Sequence, residues 1–173
     1  MNELVNSYIS DAEISASNGQ YLEAGQFFEK AAGTIRHKSQ ASKLLIKASE
    51  AYRRCWKTED AERCSQRAVE LMDGDQKTQY LLELWKDAIE TIVHFEYDCS
   101  FEWRGETDGS HDSYQEDINQ YVKKAEDILR QAIEVKGVDK DTILEKAREE
   151  CRKREAKGGW GSASCWKTIG NLT

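Results

Sequence analysis

His37, His94 and His111 are the side chains in this chain that titrate near neutral pH and most often ligate metals. A carboxylate-bridged metal centre in a helical bundle needs Glu-x-x-His pairs on facing helices, and none of the three has a glutamate three residues before it. Glu90 and His94 are four residues apart, a spacing that could share a ligand on one helical face, but beside Phe95 this histidine is an ordinary helix residue. The sequence contains no Gly-rich phosphate loop, no G-x-S-x-G elbow and no H-E-x-x-H. The cysteines, Cys55, Cys64, Cys99, Cys151 and Cys165, are odd in number and form no C-x-x-C pair. They signal neither a disulfide framework nor a zinc site, and most are expected to be small buried apolar residues. No catalytic residue, metal or cofactor is assigned, and the expectation is a protein that binds rather than one that catalyses.

What must position any binding residues is a set of helices. Of the 173 residues, 33% are charged and 39% apolar, and proline is absent, which suits one soluble helical domain with a sizeable core. A formal charge of -7 and basic residues that alternate with acids, as around Arg152–Arg154, argue against nucleic acid as a partner. No apolar run is long enough to span a membrane, and the N-terminus lacks a basic segment followed by an apolar core, so the expected location is cytoplasmic.

Apolar residues at three- and four-residue steps predict about seven helices. The first runs from Glu3 to Ser17 and ends at Asn18-Gly19; the second opens at Tyr21 and runs to about Arg36. Ser39 can cap a third and Thr58 a fourth, with Glu59 and Asp60 in the first turn of the latter. A fifth, from Gln76 to about Tyr97, has the widest apolar face, around Leu81, Trp85, Ile89 and Ile92. Residues 99–113 have no helical period and are expected to be a loop insertion. A sixth helix covers about Tyr114 to Lys136, and a seventh, about Asp139 to Lys157, buries a narrow stripe of Ile143, Leu144, Ala147 and Cys151. These helices would form one domain over 1–157, followed by a Gly- and Trp-containing tail over 158–173. The tail carries Trp160, Trp166, Ile169 and Leu172, and is expected either to fold back on its own array or to self-associate with a second copy.

The helices repeat. Ala24 and Ala61, like Ala31 and Ala68, are 37 residues apart (61 − 24 and 68 − 31), and a third copy fits at Ala125, Leu129 and Ala132. Such a period signals stacked helical hairpins, each burying a face that it cannot bury alone. With Tyr8, Ala12, Tyr21, Ala24, Phe28 and Ala31 at the aromatic and small positions of the first unit, the chain resembles the tetratricopeptide repeat family, closest to its SNAP-type subclass. In the second unit Leu45, Ser49, Tyr52, Ala61 and Ala68 fall at matching places, with Ser65 where an aromatic is usual.

The resemblance implies an all-α fold, a right-handed array of antiparallel helix hairpins (a TPR-like α-solenoid) acting as a scaffold or adaptor. It also implies a groove for a peptide or protein segment, lined by the first helix of each hairpin, which would place Asn6, Glu13, Lys43, Glu50, Arg53 and Arg54 on the partner-binding surface. Ile9 and Glu13 stand where the family's carboxylate clamp has Lys and Asn, so a chaperone-tail clamp is not implied. The alternative is a helical-bundle enzyme or small-ligand-binding protein with a site near Trp85 and His94.

Overall fold

The computed structural model describes residues 3–102, 110–157 and 161–172, with side chains for 3–97, 115–157 and 161–172. The side chains of Cys99 and His111, Trp160, and residues 103–109 of the expected loop therefore lie outside what is described. Among the described residues there are eight helices joined by short connections, and no strand: α1 (Glu3–Ser17), α2 (Tyr21–Thr34), α3 (Lys38–Arg54), α4 (Thr58–Leu71), α5 (Gly74–Glu102), α6 (Ser110–Ile133), α7 (Lys140–Ala156) and α8 (Ser162–Gly170). Where one domain followed by a tail was expected, the chain divides into two compact units, residues 1–73 and 74–173. The count is eight rather than about seven because the tail contributes α8. α5 and α6 also extend into the expected loop, to Glu102 and from Ser110. Among the described residues no helix is long and apolar enough to cross a membrane.

In the first unit each helix packs on the next, α1 on α2, α2 on α3 and α3 on α4, as short connections between antiparallel helices require. The 37-residue register is visible in the packing: Ala24 and Ala61, and again Ala31 and Ala68, are buried to within 1%. A methyl group at these places lets the helix axes approach, so a larger side chain has nowhere to go. Ala24→Leu or Ala61→Leu is expected to cost about 1–3 kcal/mol by overpacking, read as a lowered urea midpoint; an unchanged midpoint would contradict the register.

The ring that the small residues accommodate is not only Phe28. Gly25, buried one residue after Ala24, faces the Tyr52 ring so closely that a Cβ there would stand 2.8 Å from it. Tyr52 thus lies across α2, and its hydroxyl donates to Glu29 Oε2 at 3.2 Å, one helical turn beyond Gly25. Glu29 also accepts from Arg63 at 3.0 Å and Arg67 at 2.5 Å, so one carboxylate on α2 ties in α3 and α4. Burial and the adjacent Glu29 raise the Tyr52 hydroxyl above its ordinary pKa, which keeps it a neutral donor. Ser65 stands where an aromatic was expected because its hydroxyl meets Ser49 at 2.8 Å inside the α3–α4 contact; two small polar residues satisfy each other there, leaving no space for a ring.

The helix starts differ from the sequence reading. Ser39 and Thr58 lie inside their helices, behind His37 and Lys57, and neither of those residues supplies a side-chain cap. α7 does have the expected kind of start: Asp139 accepts from Thr142 N–H at 2.9 Å and from its hydroxyl at 2.7 Å. Both hairpins of the first unit turn in the same way. After α1, Gly19 donates to Ala16 O and Gln20 to Ser15 O; after α3, Trp56 donates to Arg53 O and Lys57 to Tyr52 O. Each is a Schellman turn, whose next-to-last residue in the bonded set must take a left-handed backbone. Gly19 does so at φ 76° and Trp56 at φ 61°. A tryptophan costs roughly 1 kcal/mol more than glycine in that conformation.

In the second unit α5 packs most extensively on α6, while α8 lies against α7, α6 and α5. The tail therefore folds back on its own chain instead of ending as an unpaired segment. Cys165, Thr168 and Ile169 are buried, and the fully buried Trp85 donates its indole N–H to Thr168 Oγ1 at 3.3 Å. The start of α8 is clasped by α5: Glu96 accepts from Gly161 N–H at 2.7 Å and from Ser164 Oγ–H at 2.6 Å. A carboxylate there satisfies orphan donors and complements the positive end of the helix. Gly161 has φ 81°, and a Cβ on it would collide with Val93, so the approach of α8 to α5 needs glycine. Arg154 on α7 reaches Glu90 on α5 at 2.9 Å; its Nε lies 3.2 Å from Glu150, at ion-pair distance but off the hydrogen-bond direction.

The cysteines depart furthest from expectation. Cys151 on α7 and Cys165 on α8 form a disulfide, both fully buried, although their spacing of 14 resembles no disulfide signature. Helix packing, not sequence proximity, brings their Cα atoms to 5.6 Å.

Candidate partner-binding surface

The six residues expected to line a groove are all exposed, and all belong to the first unit. Asn6 and Glu13, seven residues apart, share one face of α1. Lys43, Glu50 and Arg54 share one face of α3, at steps of seven and four. Lys47 lies between them on the same stripe, and its Nζ reaches Glu13 Oε1 at 3.5 Å, which brings the two faces together. The same ammonium sits 5.3 Å above the Phe28 ring. Arg54 stacks its guanidinium 5.2 Å from the Tyr21 ring, and Arg53 points about a quarter of a turn away from that stripe. The Lys47–Glu13 pair thus brings Glu13 of α1 to the stripe of α3 that carries Lys43, Glu50 and Arg54. Lys47 was legible in the sequence as the residue four after Lys43 and three before Glu50; its role depends on a partner from another helix.

The Glu13–Lys47 pair is more than half exposed on both sides, so it orients the surface and adds little stability. α3 as a whole is basic, with Lys38, Lys43, Lys47, Arg53 and Arg54 against the lone acid Glu50. In a chain of net charge -7 this concentrates positive charge on one helix.

The two residues of the alternative site, Trp85 and His94, do not share a face. Trp85 is a core residue bound to Thr168, whereas His94 is exposed on the same helix nine residues on, about half a turn around it. Trp85 does border a cleft of about 590 Å³ between α5 and α7, floored by Leu82, Trp85 and Ile143. Its rim charges largely pair among themselves: Lys86 with Glu83, Lys153 with Glu149. Among the described residues no three His, Cys, Asp or Glu side chains gather as metal ligands would. Of the thiols, Cys64 is buried on α4 and pushed up to about 11, chiefly by desolvation, which leaves it protonated and unreactive at neutral pH. Compared with protein-family models, curated proteins and solved structures, the chain matches none.

Proposed function

We propose that the chain is a non-enzymatic scaffold or adaptor, a right-handed TPR-like array of the SNAP type, that binds a peptide or protein segment on the surface formed by α1 and α3. The observation that carries this reading is the register of the first unit: small residues 37 apart are buried at the hairpin contacts while the first helix of each hairpin turns a charged face outward. Asn6, Glu13, Lys43, Glu50, Arg53 and Arg54 are its contact residues, and the basic character of α3 selects an acidic segment. Nucleic acid, whose binding would need a broader basic field, is not part of this reading. Neither is catalysis.

The partner acts in the cytoplasm, where a buried disulfide is an exception to the rule. Cys151 and Cys165 would there be held mostly as thiols, and alkylation of freshly lysed cells reads their state directly.

Affinity capture from native cells with the intact chain and with an Arg53→Glu, Arg54→Glu chain tests the site. The double variant should lose the captured protein while keeping its circular dichroism, with only a modest fall in urea midpoint because Arg54 leaves the Tyr21 ring and the last turn of α3 loses its favourable charges. Added salt should weaken the native complex as well. Capture undiminished by the charge reversal would remove this surface from the function.

A further inference from the structure

α7 and α8 are held in the second unit in different ways. α7 packs chiefly on α8 and lightly on α6, and it faces α5 across the cleft floored by Leu82, Trp85 and Ile143. It reaches α5 through the Arg154–Glu90 pair, whose glutamate is more than half exposed, so solvent screens the attraction. α8 is fixed more firmly. Glu96 of α5 takes Gly161 N–H and Ser164 Oγ–H, Trp85 of α5 bonds Thr168 inside the core, and Asn171, just past its end, donates to Glu126 of α6. The attachment of α7 to the rest of the unit therefore runs mainly through α8, and the Cys151–Cys165 bond is its covalent part.

α7 is also built to keep its shape by local means. Asp139 caps its start, and Glu145 with Arg148 and Arg152, Glu149 with Lys153, and Glu150 with Arg154 pair along its own length. The connection from α6 passes through Gly137 at φ 87°, where glycine gives the backbone freedom to turn. We propose that the Cys151–Cys165 pair is a redox latch on α7: a dithiol that reduces it frees α7 from α8 and opens the α5–α7 cleft, while α8 stays on α5. A thiolate of the dithiol attacks one sulfur and the other leaves as a thiol; the second thiol of the reductant then displaces the mixed disulfide. Two electrons and two protons pass to Cys151 and Cys165, and the reductant ends as a disulfide. Both sulfurs are fully buried, so the exchange waits for α7 to open locally. Where thiols are kept reduced the open form is the resting one, and a disulfide oxidant closes it by the reverse exchange. The device lies within the second unit and does not depend on the surface formed by α1 and α3.

The test is hydrogen exchange read by mass spectrometry on the full chain, first oxidised and then treated with a phosphine, well below the thermal midpoint, until no disulfide remains. Reduction should speed the exchange of residues 140–156 about tenfold or more, because a helix of 17 residues frays in water once its packing is lost. Residues 162–170 and 74–97 should keep their protection. An anilinonaphthalene dye should bind the reduced chain alone, at the uncovered stripe of Ile143, Leu144 and Ala147. A Cys151→Ala, Cys165→Ala chain should show the fast exchange from the start and ignore the phosphine. Equal exchange of 140–156 in the oxidised and reduced chains overturns the proposal. So does loosening of 162–170 along with 140–156, which would make the bond a staple of the whole C-terminal hairpin, and so does a response of the double-alanine chain to the phosphine.

Discussion

Replacing Trp85 with alanine is expected to destabilise the chain by about 3–5 kcal/mol, the range for emptying a fully buried aromatic site. The indole is completely enclosed in the second unit, and its N–H is satisfied by Thr168 Oγ1, which itself donates to Cys165 O at 2.7 Å. The alanine chain therefore loses apolar burial and leaves a cavity under α8 at the same time. Trp85→Phe separates these contributions: it keeps most of the ring volume, removes the hydrogen bond, and should cost less than half as much. Urea denaturation followed by far-ultraviolet circular dichroism reads both. A loss below about 1 kcal/mol for Trp85→Ala would mean that the site collapses around the deletion or that α8 does not cover the ring.

The second large effect comes from opening the Cys151–Cys165 link. Closing a loop of about 15 residues removes denatured-state entropy worth about 3 kcal/mol in the chain-entropy account. For a unit of roughly 100 residues that corresponds to a fall in thermal midpoint on the order of 10 °C or more on reduction. Both sulfurs are buried, so reduction should be slow in the folded chain and fast once it opens. A Cys151→Ala, Cys165→Ala chain should show the lower midpoint from the start and ignore reductant. If reduction leaves the intact chain's midpoint unchanged, the clasp contributes nothing beyond the packing of α8. Either result also bears on where the protein works, since a compartment that keeps thiols reduced would hold it in the weaker form.

These two predictions concern α8, the element least legible in the sequence. Ser162–Gly170 is short, and its apolar residues do not mark a helix that could stand alone. What makes it helical is supplied from elsewhere: Glu96 of α5 caps it, Trp85 bonds Thr168, and Cys151 of α7 ties down Cys165. Each partner is between 14 and about 80 residues distant along the chain, and no local pattern encodes such pairings. The same holds for Glu29. It looks like a solvated acid of an amphipathic helix, yet it becomes the point where Tyr52, Arg63 and Arg67 converge.

By itself, the sequence determined what depends on neighbours within a few turns. Periodic apolar residues set the helical class and placed α1 at its observed bounds, Glu3–Ser17; they also identified the buried stripe Ile143, Leu144, Ala147 and Cys151 of α7. The 37-residue spacing picked out Ala24, Ala31, Ala61 and Ala68 as contact residues, because a close helix crossing demands a small side chain wherever it recurs. The exposed charges of α1 and α3 followed from the same periodicity, as the faces left over. Only the tertiary structure decided which distant groups meet: the division at Asp73 and Gly74, the Cys151–Cys165 link, the Lys47 bridge to Glu13, and the outward Trp56 at a turn where its repeat partner is Gly19. The reason is physical. Local periodicity fixes which face of a helix is buried, but the free energy that selects its partner is spread over packing contacts between residues far apart in the chain.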